Sequence, residues 1–157
     1  MQKKHPQEFG FGLGIRLVAG GRAATSIDLI TPAAKLSQSV VYVAILPDGR
    51  ALKVGIASRG LWSRWKGIIG VMKLPADTRY LEPHEVRHGD SLNKFASGSV
   101  VEVWFKPAEM ISLSYTKGWP LAKFCAAAAE EEFLDSYYQP LFGRALSTRD
   151  HFPIEQT

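Results

Sequence analysis

Cysteine is almost absent from this chain, with a single one among 157 residues. Cys125 has no second thiol to pair with, so an intramolecular disulfide is excluded and a reducing compartment, the cytoplasm, is expected. The residue stands before a run of alanines in a helical pattern, where we expect a buried and unreactive thiol.

Long apolar runs are also absent, and none approaches the roughly 20 residues of a membrane-spanning helix. Lys3, Lys4 and His5 stand near the N-terminus, but polar residues and glycines interrupt the apolar stretch after them, so no secretory signal is predicted. Repeats and low-complexity tracts are absent as well. A composition of 46% hydrophobic and 22% charged residues indicates a globular chain of one ordinary domain rather than a disordered one.

Basic residues are in modest excess, with a net charge of +4 and a pI near 9.3. Lysines and arginines that neutralise phosphates release bound counterions, so the excess favours an anionic partner such as a nucleic acid. The imbalance is too small to identify that partner by itself.

A β-hairpin is the clearest local pattern. Residues 1–38 are glycine-rich without a sustained period, and we interpret them as an N-terminal extension that packs onto the domain or reaches a partner. Residues 40–46 are β-branched and aromatic and predict a strand. Residues 47–50, Pro-Asp-Gly-Arg, predict a turn, and residues 51–56 predict the returning strand.

Helical spacing follows the hairpin over residues 61–72. Residues 73–98 are polar and are predicted to be an insertion, and residues 99–105 predict a third strand. A helix is predicted from Pro120 to Tyr138. Its expected buried side consists of Leu121, Phe124, Ala128, Phe133 and Tyr137. We place the domain at 39–146, followed by a C-terminal tail at 147–157.

Four short matches lie in order on these predicted elements. The first strand carries Val40-Val41-Tyr42 and the second carries Lys53-Val54-Gly55. Arg64 follows nine residues after Gly55, and Glu131 precedes Pro140 by nine. Over residues 39–143 the chain resembles the GIY-YIG nuclease superfamily. With lysine where the second half-motif usually has tyrosine, it is most similar to a branch found among restriction endonucleases.

Two positions depart from the family pattern. Gly143 stands where asparagine is frequent, and Ile68 stands where a histidine or tyrosine often follows the arginine by one helical turn. A supporting contact or an auxiliary base of the family is therefore missing here or supplied elsewhere.

The resemblance implies an α/β (α+β) fold with a small, mainly antiparallel three-stranded sheet flanked by helices. It also implies a metal-dependent DNA endonuclease that uses Mg²⁺ or Mn²⁺ on double-stranded DNA, and a restriction-type enzyme that acts as a homodimer is the favoured form. By the family pattern, Glu131 is the metal ligand, Tyr42 the candidate base, and Lys53 and Arg64 the groups that hold the phosphate.

These residue types suit phosphodiester hydrolysis without the family. The reaction needs an activated water and stabilised charge on the phosphoryl oxygens, and one carboxylate such as Glu131 is enough to hold Mg²⁺, which keeps most of its waters. Tyr42 is expected to act as a base if a cationic site, supplied by Lys53, lowers its pKa from about 10. Arg64 presents a planar fork to the phosphate.

Each of these side chains also has an ordinary structural explanation. Tyr42 is alternatively a core aromatic, Lys53 a solvated lysine on the outer face of its strand, and Arg64 and Glu131 surface residues. Trp62 and Trp65 are expected to pack in the core, with stacking on bases as the alternative. The predicted DNA-binding residues are Arg59, Lys66, Arg79 and Arg87.

The insertion contains a competing motif, residues 84–88, His-Glu-Val-Arg-His. In zinc peptidases His84 and His88 would bind zinc and Glu85 would act as the base. The polar flanks and the neighbouring Pro83 favour a loop instead. Three further alternatives stay open: a non-catalytic nucleic-acid-binding module on the same scaffold, RNA as the substrate, and a mobile-element or toxin nuclease.

Overall fold

The computed structural model describes residues 3–19, 26–73, 98–108 and 121–141. Within these ranges the fold is α+β, as predicted, with five strands and two α-helices. The elements are β1 (Gly12–Ala19), β2 (Ser26–Leu29), β3 (Val40–Ile45), β4 (Ala51–Ala57), α1 (Leu61–Lys73), β5 (Ser99–Pro107) and α2 (Leu121–Tyr138). The predicted hairpin, third strand and both helices are confirmed, each to within two residues.

The sheet has the order β2-β1-β5-β3-β4 and is antiparallel throughout. The prediction of three strands was therefore too low, because residues 1–38 supply β1 and β2. The alternation of buried and exposed residues in β1 is limited to Ile15–Val18, and an irregularity in pairing lies between Leu13 and Ile15. So short a pattern is invisible in the sequence, although β1 pairs along its whole length with β5.

Strand β3 divides the core into two clusters because its side chains alternate between the faces of the sheet. Tyr42 and Ala44 belong to the cluster under α1, and Val41 and Val43 belong to the cluster on the opposite face. All six residues of β3 are buried. The strand is thus covered on both faces, which explains why it reads as an unbroken apolar run.

Helix α1 lies on the first face through a stripe at helical spacing, Leu61, Trp65 and Ile69. The chain enters the helix at Gly60, whose φ of +107° favours glycine. A Cβ at Gly60 would lie 2.4 Å from the carbonyl oxygen of Leu36, so any larger residue would clash with backbone.

Helix α2 ends where the sequence predicts. Gln139 adopts a left-handed conformation with φ of 48°, and its N–H donates to the Asp135 carbonyl at 2.9 Å. In the C-terminal half of α2, where burial is described, the buried side is shifted by one residue from the prediction. Leu134 and Tyr138 are buried, whereas Phe133 is 55% exposed. The apolar residues of α2 surround most of the helix, so they do not fix which side faces the core.

A segment of the N-terminal extension holds α2 in place. The Lys3 ammonium donates to the carbonyl of Tyr138 at 2.9 Å, and the Lys4 N–H donates to the Tyr137 hydroxyl at 2.8 Å. The Tyr138 hydroxyl donates back to the Lys4 carbonyl at 2.7 Å. We call residues 3–11 the N-terminal clasp. The N-terminal extension was expected either to pack onto the domain or to reach a partner, and the N-terminal clasp packs onto the domain.

Residues 74–97 lie outside the described residues, as do residues 142–157. The His84–His88 motif and most of the predicted insertion therefore have no structural description here. In the ranges that are described, neither helix is long and apolar enough to cross a membrane.

Candidate active site

The hairpin places two predicted site residues on adjacent positions of one face. Tyr42 pairs with Gly55 across β3 and β4, and Ala44 pairs with Lys53. Cross-strand partners share a face of the sheet, so Tyr42 and Lys53 lie on the side covered by α1. The turn that sets this pairing has Gly49 at φ +89°, as its sequence predicts.

Tyr42 and Gly55 are in unusually close contact. Tyr42 is fully buried, and a Cβ built on Gly55 would lie 2.6 Å from its hydroxyl and 2.8 Å from the attached ring carbon. Only glycine leaves room for this ring at that position. The tyrosine of the first half-motif and the glycine of the second are therefore one packing unit, which their separation in the sequence does not reveal.

Lys53 is buried, with 1% of its surface exposed, which excludes the solvated lysine considered from the sequence. An irregularity in pairing at Ala44 and Ile45 leaves Leu52 as an extra residue on β4. Leu52 belongs to the cluster under α1 and Val54 to the opposite one. Strict alternation would turn Lys53 away from both Leu52 and Val54, but the bulge breaks the alternation, so Leu52 lies on the same face as Lys53.

The environment of Lys53 opposes its charge. The pKa of Lys53 is lowered to about 7, chiefly by burial and also by the positive charge of Arg64. The carboxylates of Glu131 and Asp135 act in the opposite direction. The structure therefore brings Lys53, Arg64 and Glu131, all predicted from sequence, within electrostatic reach of one another.

Tyr42 responds to the same charges. Burial raises the pKa of Tyr42, the nearby Arg64 lowers it, and Glu131 raises it again. The net direction is upward, so the lowering expected from a cationic site does not occur in this structure. Desolvation outweighs the guanidinium, and Tyr42 is a neutral phenol at physiological pH.

Asp135 is a member of this group that the sequence analysis missed. It follows Glu131 by four residues on α2, a spacing that puts both carboxylates on one side of the helix. Both are half-buried, whereas Arg64 on α1 is exposed. The spacing was visible in the sequence, but the family pattern drew attention to Glu131 alone.

The carboxylates suit a hard cation such as Mg²⁺, which binds oxygen ligands and keeps several waters. Among the residues the structure describes, there is no group of three or more His, Cys, Asp or Glu side chains placed to hold a metal ion. Among the described residues of α2, Glu131 and Asp135 are carboxylates that could hold such a cation.

The predicted DNA-binding residues fall into two groups. Arg59 and Lys66 are exposed, in the turn before α1 and on α1 itself. Arg79 and Arg87 lie outside the described residues. Trp65 is fully buried, with its ring 5.6 Å from that of Tyr42 in an edge contact, so it is a core residue as expected.

Comparison with known proteins gives a fold and no family. No family model matches the chain, and no curated protein matches its sequence. A solved structure of the restriction endonuclease HPY188I in complex with product DNA is similar, with a TM-score of 0.51 and 16% sequence identity. The similarity covers 86% of this chain and 82% of that chain. The α+β fold described above is thus one that this restriction endonuclease also has.

Proposed function

We propose that this protein is a metal-dependent endonuclease that hydrolyses phosphodiester bonds of DNA, built on a GIY-YIG-type scaffold. The observation that carries the proposal is the burial of Lys53 beside the charges of Arg64, Glu131 and Asp135. Burying an ammonium costs free energy that a purely structural position would avoid by using an apolar residue. A group with such a perturbed pKa is typical of a catalytic site.

In this proposal Arg64 binds the scissile phosphate, because its exposed guanidinium offers two parallel donors to phosphate oxygens. Glu131 is the metal ligand, and Asp135 supports it from the next turn of α2. A bound Mg²⁺ or Mn²⁺ would supply charge stabilisation at the phosphoryl oxygens and a more acidic water.

Proton transfer is assigned to the hairpin. Tyr42 remains the candidate to take the proton of the attacking water, but a neutral phenol needs somewhere to send its own proton. Lys53 has a pKa of about 7, so at neutral pH a substantial fraction is the free amine. We assign Lys53 as the final acceptor, which avoids a long-lived phenolate in the buried site.

The proposed substrate is double-stranded DNA, and the proposed mode of action is restriction-type cleavage by a homodimer. The support is the net positive charge and the similarity in fold to a restriction endonuclease whose structure contains product DNA. A non-catalytic DNA-binding module is the second candidate. It is less well supported, because binding phosphate needs neither a buried lysine nor two carboxylates near the phosphate-binding arginine.

The test is incubation of the full chain with supercoiled plasmid and, separately, with RNA, in Mg²⁺, in Mn²⁺ and with chelator. We expect plasmid cleavage that requires the metal and stops on chelation, and discrete mapped ends if the enzyme is restriction-type. DNA retarded in a gel but never nicked would instead support the binding module. Zinc that copurifies with the chain, together with a peptidase activity that His84→Ala abolishes, would support the zinc peptidase.

A further inference from the structure

Two lysines lie against one tryptophan on a surface that the proposed active site does not use. The Lys35 ammonium is 5.1 Å from the ring centre of Trp62, and the Lys66 ammonium is 5.9 Å from the same centre. Trp62 and Lys66 are one turn apart on α1, and Lys35 ends the short 3₁₀ helix Pro32–Lys35. We call these three residues the lysine–tryptophan patch.

The patch lies on the flank of α1 that faces away from Arg64. Successive residues are turned by about 100° around a helix, so Arg64 is about 200° from both Trp62 and Lys66. The buried stripe through Trp65 runs between the two flanks. Since an α-helix with its side chains is about 10–12 Å across, the patch stands roughly one helix width from the guanidinium.

Within the part of the chain that the structure describes, no ion pair neutralises the charge of the patch. Lys35 and Lys66 form no ion pair with a carboxylate within the described ranges, and both ammoniums lie within 5.9 Å of one ring centre. The indole quadrupole attracts both cations and holds two flexible side chains in place. A pair of like charges held together at the surface attracts an extended anion.

We propose that the lysine–tryptophan patch binds the sugar–phosphate backbone of duplex DNA beside the cleavage site, on the far side of α1 from the scissile phosphate. The proposal rests on the proposed nuclease function and adds a second contact to it. With ammoniums against its ring, Trp62 organises the two lysines and is not a stacking surface for bases. The contact is therefore to phosphates and independent of DNA sequence.

This contact would give residues 1–38 a second role, beyond supplying β1 and β2 to the sheet. Lys66 was predicted from sequence as a DNA contact, whereas Lys35 was not, because it lies in the extension without a local motif. The 3₁₀ helix that carries Lys35 packs against α1, so extension and nuclease domain would contribute to one DNA-binding surface.

The experiment compares Lys35→Ala and Lys66→Ala with the matched control Arg16→Ala, using a duplex oligonucleotide in chelator so that binding is measured without cleavage. Arg16 lies on β1 and forms an ion pair with Glu102 at 3.3 Å. Its neighbours Ile15 and Leu17 belong to the cluster under α1. The Arg16 side chain is therefore on the opposite face of the sheet. All three variants lose one positive charge.

We expect each lysine variant to weaken binding by roughly five- to tenfold at about 0.1 M salt, and the salt dependence to become shallower by about 0.9 per lysine. Arg16→Ala should match the wild type. Trp62→Phe, which keeps a smaller ring in the core, should weaken binding in the same direction.

Lysine variants that bind like Arg16→Ala, or that weaken binding with an unchanged salt slope, would overturn the patch while leaving the nuclease proposal intact. A wild-type chain that binds and cuts no DNA would overturn the proposed function and the patch with it.

Discussion

Gly55 illustrates how a single missing Cβ shapes the site. Gly55→Ala would put a methyl group 2.6 Å from the Tyr42 hydroxyl, and the buried ring, packed edge-on against Trp65, has nowhere to go. We expect the variant to lose about 1–3 kcal/mol of unfolding free energy, as overpacked cores do, together with most of its cleavage activity.

Thermal unfolding measures this effect, with Gly12→Ala as the matched control. Gly12 is also a strand glycine, but a Cβ there meets nothing within 4 Å. The control should unfold within about 0.5 kcal/mol of the wild type. Equal stability of the two variants would contradict the packing argument.

The buried Lys53 predicts a pH dependence of stability. The pKa of Lys53 is 10.5 in the unfolded chain and about 7 in the folded protein. Between those values the unfolded state binds more protons, so the unfolding free energy should rise as pH increases from 7 towards 10. Below pH 7 the buried amine is charged in the folded protein, and the unfolding free energy is reduced by the full cost of burying that charge.

Urea denaturation at pH 7, 8 and 9 tests this dependence. Lys53→Met should be more stable than the wild type at pH 7 and should lose most of the upward slope. Lys66→Met, a change at the surface, should keep it. A wild-type slope that is flat or falling over this range would show that Lys53 does not titrate as described.

At the scale of elements, local order was predictable and long-range order was not. The hairpin, α1, β5 and α2 follow from periods and turn residues that act over a few positions. The central position of β5 depends on pairing with β1 across 80 or more residues and with β3 across 57 to 67, and nothing local encodes it. Strand β1 was missed for the same reason, and β2, which pairs with β1 at the edge of the sheet, was missed with it.

The N-terminal clasp predicts that residues far from the site in sequence support α2. Phe9 makes edge contacts with Phe133, Tyr137 and Tyr138, at ring distances of 6.1, 5.4 and 6.2 Å. Because Phe9 is partly buried, Phe9→Ala should cost about 1–2 kcal/mol, less than a fully buried phenylalanine. Amide exchange in α2 should become faster, and cleavage should fall because α2 carries Glu131.

Leu36→Ala is the control for that variant. Leu36 is also an apolar side chain from the extension, but it is 54% exposed and follows the 3₁₀ helix that packs on α1. Its effect on stability should stay near 0.5 kcal/mol or less. If Phe9→Ala left α2 exchange unchanged, the clasp would not be what steadies this helix.

For the molecule as a whole, the sequence predicted most residues of the candidate site and less of their electrostatics. Tyr42, Lys53, Arg64 and Glu131 come from three separate stretches of chain, and their order along it was enough to expect a shared site. Their pKa values were not predictable, because desolvation depends on how completely the sheet and helices cover each group. Asp135 was not predicted, although its spacing of four residues from Glu131 is visible in the sequence.

The central claim is that Glu131 holds the catalytic metal. Its most direct test is single-turnover cleavage of duplex DNA, at saturating enzyme and Mg²⁺, by the wild type, Glu131→Gln and Glu132→Gln. Glu132 is the adjacent residue on α2, is exposed, and carries the same charge, so the two variants match in composition. We expect Glu131→Gln to bind DNA but cut at least about a thousandfold more slowly, and Glu132→Gln to cut within about threefold of the wild type. Cleavage by Glu131→Gln at the wild-type rate would contradict the claim.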